Sequence, residues 1–133
     1  MIREHASIRI IGTFDPTEIT EKVGIQPSEM IRRNGEALLD GRIRDFDIWI
    51  LNSPLDNKRP LNEHLKWIDD QLAGKLAILK EIASENTIDI FCAVTVFDED
   101  GFSLDPRNFP LIRELGLKME FSLVVSDLDY VNG

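Results

Sequence analysis

Hydrophobic positions along this chain repeat at two periods, and the change from one to the other marks out its elements. Around Ser7 to Thr13, Ile8 and Ile10 alternate with Arg9 and Ile11, the two-residue period of a strand. Asp15-Pro16-Thr17-Glu18 follows as a helix start: Asp15 accepts from free amides, Pro16 suits the first helical position, and Glu18 stands three residues after the cap. Ile19 and Val23 share a face of this short helix, and Gly24 stops it. Beyond Pro27 the pattern weakens, and the Asn34-Gly35 turn signal predicts a hairpin between residues 29–33 and a strand beyond it. Phe46, Ile48 and Ile50 then alternate with Asp47, Trp49 and Leu51, a strand with a dry face and an amphipathic one.

After Pro60 the period lengthens. Leu61, Leu65, Ile68, Leu72, Leu76, Leu79 and Ile82 recur every three or four residues up to Asn86, predicting one long helix that covers a sheet. Each of these side chains contributes roughly 1.5–3 kcal/mol if fully buried. Gly74 falls in the middle and marks a bend or a close packing point. Ile88, Ile90, Cys92, Val94 and Val96 return to alternation as a central strand, followed by an Asp100-Gly101 turn. Asp105-Pro106 opens a second short helix containing Phe109, Ile112 and Leu115, which Gly116 closes. A last strand from Lys118 to Ser126 places Met119, Phe121, Leu123 and Val125 inward, and 127–133 reads as a tail. The segments Phe14-Asp15-Pro16 to Gly24 and Leu104-Asp105-Pro106 to Gly116 echo each other, which either a duplicated βα unit or shared capping chemistry explains.

Together these elements predict one α+β domain over residues 1–133. A mostly antiparallel or mixed sheet of about four to five strands is covered on one face by one long and two short helices, in the manner of ferredoxin-like folds. Alternating rather than uniformly apolar strands argue against a parallel sheet covered on both sides.

Charge narrows the functional classes. The formal charge is -9, and its placement is uneven: residues 1–60 hold nine basic and ten acidic groups, residues 61–133 six and fourteen, so the second part supplies -8 of it. A field of that sign repels phosphate backbones and favours cationic partners, which disfavours nucleic acid. No apolar run reaches the ~20 residues of a spanning helix, and residues 1–5 carry no signal-like apolar segment. With the lone Cys92 unable to form an internal disulfide, a cytoplasmic protein without membrane association is expected.

The residues resemble the bacterial family known as domain of unknown function 4279. The resemblance rests on Phe14-Asp15-Pro16 with Ile19-Thr20, Gly24-Ile25-Gln26-Pro27-Ser28, Gly35 and Trp49-Leu51-Ser53. It continues through Leu61-His64-Leu65, Gly101, Leu104 and Leu115-Gly116-Leu117. Phe121-Ser122-Leu123 departs from it, where an aromatic is expected to close the last strand. The resemblance implies the fold and carries no established activity, so function is read from the residues themselves.

Candidate chemistry is sparse. Cys92 lies on the most apolar strand face, as an inert thiol does, and His64 beside Trp67 reads as an exposed or capping histidine in the first turn of the long helix. Asp98-Glu99-Asp100-Gly101 fails as a calcium loop because Phe102 and Phe109 occupy ligand positions, and no Cys/His spacing suits zinc. No catalytic residue, metal or cofactor is assigned, and an enzyme is the less favoured reading.

Two surfaces are singled out. Should the strands ending at Phe97 and Ser126 run parallel, Asp98, Glu99, Asp100, Asp127 and Asp129 converge as an acidic rim that attracts a basic protein surface. The leading expectation is therefore a non-catalytic protein-binding module, of the kind that neutralises a basic toxin as small acidic immunity proteins do. The alternative is a small anionic-ligand binder or enzyme with a pocket between Trp49, on the uncovered sheet face, and the basic group Arg32, Arg33, Arg42 and Arg44. A homodimer joined through strand edges or Trp49 is the third reading.

Overall fold

The alternation seen around Ile8 and Ile10 extends backwards, giving an 11-residue strand, β1 (Ile2–Gly12). The computed structural model describes residues 2–33, 45–97 and 102–126. Within them α1 (Pro16–Val23) starts at the Asp15 cap, whose side chain accepts from the Thr17 amide, and ends at Gly24 as expected. Next come β2 (Glu29–Ile31), β3 (Asp47–Asn52), α2 (Leu61–Gln71), α3 (Leu76–Ala83), β4 (Thr87–Phe97), α4 (Pro110–Leu115) and β5 (Lys118–Ser126).

The strands form one five-stranded mixed sheet in the order β2-β3-β1-β4-β5. β1 lies between β3 and β4 and is antiparallel to both; β2 is antiparallel to β3, and β5 is parallel to β4. The element order through β4 is β-α-β-β-α-β, with the second helical position filled by two helices. The partner of β2 is thus β3, and Asn34-Gly35 lies outside the described residues.

The helices pack on the sheet face formed by Ala6, Ile8, Ile10, Trp49, Leu51, Ile88, Ile90, Cys92, Val94 and Val96, giving two layers with the core between them. From the helical stripe Leu61, Leu65, Ile68, Leu72, Leu79 and Ile82 are all buried. The expected single long helix is, however, two. Gly74 adopts a left-handed φ of 77°, and the Lys75 amide donates to the Leu72 carbonyl at 2.9 Å, closing the turn between α2 and α3. The apolar spacing resumes across this corner with Leu79 and Ile82 buried, whereas Leu76, at the start of α3, is only half-buried.

A second correction concerns the helix expected from Asp105. Its carboxylate accepts from the Arg107 amide at 3.1 Å, but only a single 3-10 turn, Pro106–Asn108, follows. Pro110 has no amide to donate, and it holds Phe109 at a non-helical φ of -141°, so the helix restarts as α4. The buried Asp69 of α2 supplies the cap there, accepting from the Ile112 amide at 2.9 Å.

Candidate functional site

Trp49 stands in β3 with Asp47 and Leu51 on the helix-covered face, and Ile48 and Ile50 point the other way. It is 1% exposed, and its indole Nε1 donates to Thr20 Oγ1 at 3.0 Å. The expectation of an uncovered Trp49 is therefore reversed. The strand carries apolar side chains on both faces, and the deciding residue is the buried Asp47, which accepts from the Phe14 and Arg33 amides, each at 2.9 Å. Those bonds satisfy a carboxylate inside the protein and leave the large indole free to fill the space beneath α1.

Arg32 and Arg33 do not gather around Trp49. Arg32 reaches Asp15 at 2.9 Å and Thr17 Oγ1 at 3.0 Å, while the Arg33 guanidinium lies 3.5 Å from Asp47. The Thr17 amide first, and then Arg32, hold the Asp15 carboxyl below its ordinary pKa. Arg32 thus staples the start of α1 to the exit of β2, and Arg33 ties that exit to the first residue of β3. Arg42 and Arg44 lie outside the described residues.

Asp98, Glu99, Asp100, Asp127 and Asp129 also lie outside them. The condition set for their convergence does hold, since β4 and β5 are parallel and Phe97 is paired with Ser126 at the last position of the register. The chain therefore leaves both strands at the same end of the sheet.

The outer strand departs most from the sequence reading. Met119, Phe121, Leu123 and Val125 are paired with Ile90, Cys92, Val94 and Val96, so they do project towards the helix side. Only Met119 packs on the core; Phe121 is 40% exposed, Leu123 55% and Val125 69%, and on the opposite face Val124 is 52% exposed. The six residues of α4 span about 9 Å and the nine of β5 about 30 Å, so α4 by itself is too short to cover the strand. Phe102 lies beside Phe121, with ring centroids 5.9 Å apart.

His64 is fully buried, in contrast to the exposed or capping position expected for it. Its Nδ1 is 2.7 Å from Ser53 Oγ, and His5 Nε2 is 2.9 Å from the Ser53 carbonyl. The two rings meet edge to face, with centroids 5.4 Å apart. Burial, and then the neighbouring His5, lower the His64 pKa. A hydroxyl on an imidazole is the beginning of a nucleophile and base pair, but Ser53 is itself buried, and among the described residues no carboxylate bonds to His64 and its Nε2 makes no hydrogen bond of good geometry. The pair joins the turn after β3 to α2. Cys92 is buried, with its thiol pushed up to about 12, an inert group as the sequence implied. Among the described residues no group of three or more His, Cys, Asp or Glu could hold a metal ion, and no helix is long and apolar enough to cross a membrane.

A cleft of about 320 Å³ opens between α1 and the end of α3, and its walls include Glu18, Lys22, Glu81 and Glu85 over Phe14 and Ile82. Three carboxylates against one ammonium make it unsuited to an anionic ligand.

The family model described as a domain of unknown function, DUF4279, matches residues 2–126. Comparison with curated proteins and with solved structures gives no match.

Proposed function

The chain belongs to the DUF4279 family, a domain of unknown function, and from that premise we propose that it works as a non-catalytic protein-binding module for a basic partner, in the bacterial cytoplasm. The observation that carries this reading is the row of Phe121, Leu123 and Val125 on one face of β5, with Val124 exposed on the other, apolar side chains held at the surface by a regular strand. Single exposed hydrophobics are ordinary, whereas a contiguous row with polar surroundings marks an interaction surface. The sequences that follow the adjacent ends of β4 and β5 contribute Asp98, Glu99, Asp100, Asp127 and Asp129, so charge steers a cationic surface towards the strip and apolar contact retains it. A basic toxin or nuclease neutralised by occupation of its surface is the kind of partner this charge distribution suits.

The test is a pull-down from the native host at low and at high salt, repeated with Asp98→Asn, Glu99→Gln and Asp100→Asn combined. A partner held at low salt and lost both at high salt and in the triple variant is the expected result. Finding no salt-sensitive partner, or one indifferent to the three neutralisations, removes the proposal. The reading as an anionic-ligand pocket at Trp49 draws no support from an indole in the core and arginines engaged elsewhere.

A further inference from the structure

The two edges of the sheet are built differently. The β2 edge is three residues long and begins with Glu29, and Arg32 and Arg33 follow it. Such short, charged borders are how sheets avoid pairing with foreign strands. The β5 edge has nine residues, and from Phe121 to Ser126 it contains no charge and no proline. Its pairing with β4 runs without interruption from Lys118 to Ser126, so no bulge twists the edge away. Among the described residues β5 has β4 as its only strand neighbour.

Resting on the protein-binding reading above, we infer that β5 receives an extended segment of the basic partner as a sixth strand. Main-chain groups on the open side of β5 supply the hydrogen bonds of such an addition, and alternate side chains of the incoming strand supply selectivity. Residues of that strand projecting to the helix side would sit beside the exposed Phe121, Leu123 and Val125, with Phe102 already against Phe121. Cross-strand aromatic and branched pairs of this kind are the unit of sheet stabilisation. Charge selects the occupant: a second copy of this chain brings a further -9, whereas a segment with lysines at its ends complements the acidic sequences that follow β4 and β5.

The probe is a synthetic peptide alternating Val and Thr with two Lys at each end, compared with one in which Glu replaces every Lys and with one interrupted by two Pro. Fluorescence anisotropy gives affinity, and amide hydrogen exchange gives location. Expected are binding of the Lys-ended peptide alone, added protection confined to 121–126, and affinity lowered by about ten-fold or more in Leu123→Lys. Val125→Lys, at the most exposed position of the strip, serves as a second variant, and thermal melting confirms that both fold. Equal binding of the Pro-interrupted peptide, an unchanged affinity in both variants, or no binding of the Lys-ended peptide overturns strand addition. So does light scattering that shows a dimer with protected β5 amides, since a second copy is then the occupant. A host partner that Leu123→Lys retains and the triple acidic variant loses sinks strand addition while leaving the protein-binding reading intact.

Discussion

An imidazole sealed inside the protein, with one ring nitrogen that makes no good hydrogen bond among the described residues, makes His64 a proton-sensitive point in the fold. Its pKa is lowered from 6.5, by burial and then by His5, so the folded chain holds it neutral where the unfolded chain takes up a proton. More protons bound in the unfolded state means that stability rises with pH. The contribution is therefore fully present above about 6.5 and is lost as pH falls from there towards the folded value. Urea unfolding between pH 7.5 and 5 should show this slope in the wild type and a flatter one in His64→Leu; equal slopes would refute it. This behaviour was not legible in the sequence, because the burial is tertiary: the turn after β3 lays Ser53 over a histidine that its own helix would leave near an end. Cys92 was legible, since its inertness needs only an apolar strand face in the middle of the sheet.

At the scale of elements, period told helix from strand and told which side chains share a face, but it did not tell where a regular element breaks. Leu72 and Leu76 are four apart and match an unbroken helix, yet Gly74 lies between them at a left-handed φ of 77°. Nothing stands within 4 Å of a Cβ built there, so Gly74→Ala meets only backbone strain. The expected cost is roughly 1–2 kcal/mol, the left-handed penalty of an L residue, read as a lower urea midpoint with an unchanged slope. A gain in stability would mean that α2 and α3 fuse in the variant. Pro110 broke the other expected helix for a reason visible in the sequence, while the cap that restarts it comes from Asp69, 43 positions away. Trp49 was misplaced by the same limit of local reading: alternation separates two faces, and long-range partners such as the Phe14 and Arg33 amides decide which one the helices cover.

At the scale of the molecule, the asymmetry of the two sheet edges carries a cost. The stretch from Phe121 to Val125 combines branched, aromatic and uncharged residues, the composition that templates fibrils when self-repulsion fails. Near neutral pH the charge of -9 keeps copies apart, and that protection disappears as the pH approaches the isoelectric point of about 4.6. Turbidity should peak there in the wild type and fall in Leu123→Lys measured at its own isoelectric point; a variant that clouds equally would place the fault elsewhere. Acidity is then a colloidal safeguard: the like charge of every copy keeps a strand border that is open among the described residues from seeding a gel.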